Sequence, residues 1–159
     1  MRVYQQVIAI AICIALAGCG SGSSTAPVIS NISGDYTGTV QDSQSGSGTA
    51  AATFAQTGSS AGGTIVDTEA SGAVNIQVSL KFTSATAANG AMVIDFQNGT
   101  TCSFSTNASY NSATNVLSGS YTAVTNCTGD TGTFSLTQQC IDTPASSDRR
   151  KIATLPPRC

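Results

Sequence analysis

Hydrophobic and polar residues alternate most regularly between positions 73 and 82. Five apolar side chains, spaced two apart, fall on one face of an extended chain, and the residues between them are polar or charged. The apolar set is Val74, Ile76, Val78, Leu80 and Phe82. Because successive side chains of a β-strand point to opposite faces, this pattern predicts a strand with one buried and one solvated face.

Weaker alternation recurs along the chain between clusters of glycine, asparagine and serine, and no segment shows the period of a helix. Eight strands are predicted, at residues 34–40, 49–57, 63–67, 73–82, 91–96, 102–110, 116–124 and 131–138. The short connections indicate an antiparallel meander. We prefer closure into an eight-stranded barrel, which removes exposed edges, but a two-sheet β-sandwich would produce nearly the same pattern.

Two local signals set the expected connections within the meander. Asn-Gly pairs at 89–90 and 98–99 predict tight turns on either side of the strand at 91–96. The strands at 102–110 and 116–124 are then expected to pair across the next turn.

Matching apolar side chains across that hairpin predicts its register. Tyr110 is expected opposite Leu117, and Phe104 opposite Ala123. The predicted register also brings the start of one strand close to the chain just beyond the end of the other.

The first 18 residues are organised like a signal peptide. Arg2 supplies a short positive region, and an apolar run follows at 7–17. A transmembrane helix needs about 20 apolar residues, so this run is too short to be a permanent span.

The apolar run ends in Leu16-Ala17-Gly18-Cys19, which resembles the lipobox of bacterial lipoprotein precursors. The resemblance implies cleavage before Cys19, a thioether lipid on its sulfur and acylation of the new amino group, for example with palmitate. Several acyl chains hold a protein stably on a membrane. Gly20 stands where lipoproteins retained in the inner membrane often have Asp, so the resemblance implies a site in the bacterial cell envelope, on the periplasmic or surface side of the outer membrane.

These features divide the chain into four parts. We expect a signal peptide at 1–18, a lipidated cysteine with a flexible linker of small polar residues at 19–30, a β-barrel domain at 31–139 and a tail at 140–159.

Four cysteines remain once the two in the N-terminal segment are set aside. An even number in an exported chain favours disulfides, and the absence of both C-x-x-C pairs and histidine argues against a metal site. The hairpin register predicts a bond between Cys102 and Cys127. Cys140 and Cys159 would then close the tail into a loop.

Charge argues against one class of partner. Residues 31–139 contain six acidic side chains and one cation, Lys81, for a net charge of −5. No basic face is available for phosphates, so nucleic-acid binding is not expected. The tail at 140–159 is cationic, with four basic against two acidic residues.

Candidate catalytic groups are few. Residues 58–62 match G-x-S-x-G, but the chain has no histidine to act as base and no helix to follow the serine. Asp67 and Glu69 lie two positions apart, and we interpret them as turn and solubility residues. No calcium-binding loop motif occurs. The sequence therefore predicts a non-enzymatic protein with no metal or cofactor.

Residues 34–36 (Gly-Asp-Tyr) and 118–121 (Ser-Gly-Ser-Tyr) resemble segments of the lipocalin and avidin superfamily of small barrels, although a tyrosine stands where lipocalins have tryptophan. The resemblance implies binding of a small or amphipathic ligand. The inward aromatic side chains expected to line the ligand site are Tyr36, Phe104, Tyr110 and Tyr121. The alternative is a structural or assembly lipoprotein whose barrel is filled by side chains.

Overall fold

The computed structural model describes residues 28–70, 72–96 and 99–140. Eight β-strands span this part of the chain: β1 Gly34–Asp42, β2 Gly46–Thr57, β3 Ser60–Glu69, β4 Gly72–Phe82, β5 Ala87–Asp95, β6 Thr101–Asn111, β7 Val116–Thr125 and β8 Thr131–Gln138. A search of the same residues for a helix of membrane-spanning length and hydropathy finds none.

The strands form a closed antiparallel barrel, as predicted. Each strand pairs with its neighbours in the sequence, and β1 pairs with β8, with Val40 opposite Phe134 and Gly38 opposite Leu136. This last pairing decides between the two predicted architectures, because a sandwich consists of two separate sheets, whereas here the pairing runs unbroken through all eight strands. Closure removes the unpaired strand edges of an open sheet.

Along each strand, every second side chain points into the barrel. In β4, Ile76, Val78, Leu80 and Phe82 are buried as predicted, and Val74 is half-buried. Leu117 and Leu136, from the neighbouring strands β7 and β8, are fully buried opposite one another. The inward faces of all eight strands therefore supply one continuous core.

The structure corrects the turn predicted at Asn89-Gly90. Both residues lie inside β5, and the chain reverses at 83–86, where the Thr83 amide donates to the Ala87 carbonyl at 2.9 Å. Gly90 allows the backbones of β4 and β5 to approach closely and does not form a turn, because a Cβ there would lie 2.0 Å from the Ser79 carbonyl oxygen.

The second predicted Asn-Gly turn is partly described. Gly99 has a φ of 83°, and its amide donates to the Phe96 carbonyl at 2.9 Å. That left-handed backbone favours glycine. Asn98 lies outside the described residues.

The predicted register of β6 and β7 is confirmed. Phe104 faces Ala123, and Tyr110 faces Leu117. The pairing also shows a register shift beside Phe104, close to where the two strands begin to separate.

The predicted bond between Cys102 and Cys127 is present, with Cα atoms 5.6 Å apart. Cys140 is also disulfide-bonded. Its predicted partner, Cys159, lies outside the described residues, so this second pairing stays a prediction. The signal peptide, Cys19 and the tail beyond 140 lie outside them too.

The two ends of the barrel differ. We call the end with the turns at 57–60, 82–87 and 111–116 the closed end, because residues 28–33 cross it. There Ile32 is fully buried, and its amide donates to Gln56 Oε1 at 2.9 Å. The other end, with the turns at 42–46, 69–72, 95–101 and 125–131, is called the open end.

Candidate functional site

A cavity of about 460 Å³ lies at the open end. Its inner wall is apolar and comprises Val74, Ile76, Met92, Ile94, Phe96 and Phe104. Polar groups border the mouth, beside the disulfide-bonded Cys127: Asp42, Gln44, Ser45, Asp67, Glu69, Tyr121, Asn126, Thr128 and Asp130. Ligand sites in proteins have this size and this combination of an apolar wall with a few polar groups.

Asp67 is the most buried charged group of the cavity. It lies in β3, directly opposite Ala50 of β2 and Val74 of β4, and only 5% of its surface is exposed. Its Oδ1 is buried and receives no hydrogen bond from the described part of the chain. Gly48 makes room for this oxygen, because a Cβ at position 48 would lie 2.2 Å from it.

The environment of Asp67 disfavours its charge. Burial, followed by the nearby carboxylates of Glu69 and Asp42, raises the pKa of Asp67 to about 6, and a hydrogen bond from the Thr68 amide opposes the shift. Above pH 6 the cavity therefore contains an ionised carboxylate, one of whose oxygens has no donor in the described chain.

Asp42 is held very differently at the mouth. Its Oδ1 accepts hydrogen bonds from the amides of Gln44 and Ser45 at 2.8 and 2.9 Å, and its Oδ2 accepts one from the Tyr121 hydroxyl at 2.7 Å. Burial raises the pKa of Asp42, but these hydrogen bonds outweigh burial and lower the pKa below its ordinary value. Asp42 therefore stays ionised while it fixes the β1–β2 turn.

Asp130 joins that turn to the β7–β8 loop. Ser43 Oγ donates to Asp130 Oδ1 at 3.0 Å and accepts from the Thr131 amide at 3.0 Å. Burial and the neighbouring Asp42 carboxylate raise the pKa of Asp130, although the hydrogen bond from Ser43 opposes them. Glu69 is fastened to the same turn, because the Ser45 hydroxyl donates to its carboxylate.

Aromatic side chains support the mouth from the opposite wall. The rings of Phe104 and Tyr121 meet edge to face with centroids 5.5 Å apart. Gly132 leaves space for the Tyr121 ring, because a Cβ at position 132 would lie 2.2 Å from the phenol carbon and oxygen. Burial and the hydrogen bond to Asp42 raise the pKa of Tyr121, so its hydroxyl remains a donor.

Of the four aromatic residues predicted to line a ligand site, the structure brings only Phe104 and Tyr121 to the cavity. Tyr36 and Tyr110 lie towards the closed end and are not part of its lining. The Tyr36 hydroxyl donates to the Ile32 carbonyl at 2.9 Å, and the Tyr110 hydroxyl donates to Gln138 Oε1 at 2.8 Å. Both hydroxyls are satisfied by the protein.

The acidic residues of the mouth were not predicted as site residues from the sequence. The interpretation of Asp67 as a turn residue is wrong, because β3 continues to Glu69 and Asp67 points inward. The signal was present in the alternation, since Asp67 follows the inward Ile65 by two positions. Asp42 follows the inward Val40 by two positions in the same way, but it lies beside a turn, where aspartate is common. Asp130 lies in a loop and carried no such signal.

The site's chemistry is that of an acidic, partly apolar recess. No group of three or more potential ligand side chains with metal-binding geometry occurs among the residues that the structure describes. Carboxylates at the mouth attract positively charged groups, and the apolar wall favours a hydrocarbon or aromatic body.

No protein-family model matches the chain, and a comparison with curated proteins gives no match either. A solved structure of a redesigned beta barrel is similar, with a TM-score of 0.58 and 13% sequence identity. The similarity covers 74% of this chain and 99% of the redesigned barrel. At this identity the likeness concerns the fold alone, and it agrees with the closed barrel described above.

Proposed function

We propose that this protein is a non-catalytic, lipid-anchored binding protein of the bacterial cell envelope, which holds a small amphipathic ligand in the open end of its barrel. The cavity of about 460 Å³ carries the proposal. An apolar wall that ends in a polar mouth matches a ligand with an apolar body and a polar head.

The position of the N-terminal segment supports this arrangement. The described chain begins at Val28, nine positions after Cys19, and enters β1 across the closed end. A lipid on Cys19 would therefore place the closed end towards the membrane and the open end towards the aqueous space. Ligands would reach the cavity from solution rather than from the anchoring bilayer.

The cavity favours this function over a purely structural role with a filled barrel. At the closed end, Tyr36 packs edge to face on Phe54 with centroids 5.5 Å apart, and Ile32 lies above them fully buried. At the open end, Ile94 is only partly buried and borders empty space. Complete filling would have required larger side chains at positions such as Val74.

The proposal is tested by titrating the mature protein with N-phenyl-1-naphthylamine, a neutral amphipathic dye whose fluorescence rises in apolar surroundings. We expect saturable, one-to-one binding. Val74→Phe fills the cavity and should weaken binding at least tenfold. Val124→Phe adds the same atoms to an outward residue that is 66% exposed near the same end and serves as the matched control. Absence of saturable binding to the parent protein would contradict the proposal.

Anchoring needs a separate test. In cells, Cys19→Ala should abolish acyl labelling and leave an uncleaved or mislocalised precursor. Membrane fractionation of the parent protein should place it in the outer membrane. A Cys19→Ala protein that is processed and membrane-bound like the parent would show that the lipobox interpretation is wrong.

A further inference from the structure

We propose that the cavity at the open end selects cationic amphipaths, in which an ammonium or amidinium head is attached to an apolar body, and that Asp67 is the residue that determines this specificity. The inference rests on the proposed ligand-binding function and names the chemical class of its ligand.

The distribution of charge supports a cationic head. Four carboxylates line the cavity, from Asp42, Asp67, Glu69 and Asp130. The one cation in the described part of the chain, Lys81, lies at the closed end, with its Nζ 3.5 Å from Ser60 Oγ. A recess lined by one sign of charge concentrates ligands of the opposite sign and repels those of the same sign.

Asp67 supplies an independent observation that points to a ligand. The side chain lines the cavity with only 5% of its surface exposed, and its Oδ1 lacks a hydrogen-bond donor in the described chain. Buried charges in proteins are usually paired, because an unpaired one is strongly destabilising. Since a carboxylate shares its charge over both oxygens, a cation in the cavity would compensate the charge of Asp67.

The other carboxylates have structural duties that Asp67 lacks. Asp42 accepts hydrogen bonds from two amides and the Tyr121 hydroxyl, and Asp130 accepts one from Ser43. Glu69 accepts one from Ser45. These three shape the mouth and add long-range attraction, whereas Asp67 is the most buried of the four acids and lines the cavity beside the apolar wall.

The apolar wall is continuous with Asp67. Val74 lies directly opposite it, and Ile76 follows one inward position deeper along β4. On the next two strands, Met92 of β5 lies opposite Val78, and Phe104 of β6 lies opposite Met92. A head group beside Asp67 therefore places a chain of several carbon atoms against Ile76, Met92 and Phe104, where burial of apolar surface adds affinity.

Binding should depend on pH through Asp67. After burial, the groups that raise its pKa are Glu69 on its own strand and Asp42 from the β1–β2 turn. The other titratable groups that line the cavity are Tyr121 and Asp130, on the far side of the mouth. Strand β2 has no titratable side chain, and the only one in β4 is the distant Lys81. Protonation of Asp67 below about pH 6 should weaken cation binding.

Three ligands that share one alkyl chain test the inference: octylammonium, octanol and octanoate, each titrated below its micellar concentration into the mature protein by calorimetry at pH 7.5. We expect octylammonium to bind at least tenfold more tightly than octanol and octanoate to bind most weakly. Octylammonium affinity should fall at least fivefold between pH 7.5 and pH 5, while octanol affinity stays constant.

Asp67→Asn should lower octylammonium affinity about tenfold and octanol affinity much less, and a circular dichroism spectrum like that of the parent shows that the variant is folded. Asp95→Asn removes the same charge from an exposed residue of the open end that does not line the cavity, and it should change octylammonium affinity less than twofold. Equal binding of octanol and octylammonium, or equal effects of the two variants, would overturn the inference while ligand binding stands. Failure of all three ligands to bind would contradict the proposed function itself.

Discussion

The closed and open ends of this barrel are built from the same kind of hairpins, but they differ in whether their buried polar groups have hydrogen-bond partners. At the closed end, Tyr36, Tyr110, Gln56 and Gln138 each pair with another polar group, and Gln138 Nε2 donates to the Ser33 carbonyl at 2.7 Å. At the open end, four carboxylates converge on a cavity, and an oxygen of Asp67 lacks a donor within the described chain.

The two ends therefore differ in role: the closed end stabilises the domain, and the open end carries the proposed binding site. Satisfied polar groups and close packing at the closed end hold the N-terminal segment across the barrel. Converging like charges at the open end are unfavourable for folding, and such local conflicts are typical of binding sites. The four predictions that follow test this contrast, from the largest expected effect to the smallest.

The first prediction compares one substitution at the two ends. Ile32→Ala should lower the free energy of unfolding by roughly 2–5 kcal/mol, because Ile32 is fully buried and its removal leaves a cavity. Ile94→Ala should cost clearly less, since Ile94 already borders open space. Urea denaturation followed by circular dichroism measures both. Equal decreases in the free energy of unfolding for the two variants would mean that the open end is packed as tightly as the closed one.

The second prediction concerns the disulfide beside the cavity. Replacing Cys102 and Cys127 together by alanine should lower stability by about 3 kcal/mol, because the bond closes a loop with a sequence separation of 25. Removing Cys140 with Cys159 should mainly expose the C-terminus to proteolysis. A peptide map linking Cys140 to any residue other than Cys159 would contradict the predicted second pairing.

The third prediction follows from the raised pKa of Asp67. An acid whose pKa is higher in the folded state binds its proton more tightly there, so its contribution to stability is lost as pH rises from about 4 through about 6. The Asp67→Asn variant does not lose this stability, because asparagine does not ionise. The Tm of the variant relative to the parent should therefore increase between pH 4 and pH 7.5, which corresponds to a gain on the order of 1 kcal/mol in its relative free energy of unfolding.

Asp35→Asn provides the control for that experiment, because Asp35 is an exposed acid near the closed end. The change in relative Tm with pH should be clearly larger for Asp67→Asn than for Asp35→Asn. Equal pH profiles for the two variants would contradict the raised pKa of Asp67.

The smallest effect is expected from a single hydroxyl at the closed end. Tyr36→Phe removes the hydrogen bond to the Ile32 carbonyl and should cost about 1 kcal/mol. It should leave binding of N-phenyl-1-naphthylamine unchanged, because Tyr36 does not line the cavity. A clear loss of dye binding would show that the two ends are coupled.

Local chemistry made much of the fold predictable. The alternation in β4 identified its buried face, and apolar matching gave the pairing of Phe104 with Ala123 and hence the bond between Cys102 and Cys127. These features depend on neighbouring strands of one hairpin. The Asn89-Gly90 error has the opposite origin, since the close approach of Ser79 from another strand overrides the local preference for a turn.

The candidate site was predicted only in part because its members come from distant segments. Phe104 and Tyr121 were found as inward aromatic residues, but aromatic identity does not distinguish the two ends of a barrel. Asp67 was missed because a charged residue near a glycine-rich turn is usually exposed. Its burial depends on Gly48 of β2, which provides the space for its carboxylate.

By itself, the sequence determined the number of strands, most of their inward faces, the order of the hairpins and one disulfide, because each depends on side-chain alternation or on contacts within one hairpin. Only the tertiary structure decided that the sheet closes, since β1 and β8 meet across almost the whole domain. It also decided which end is sealed and which is open. Asp42, Asp67 and Asp130 meet only after closure, when the barrel brings their three segments to one mouth.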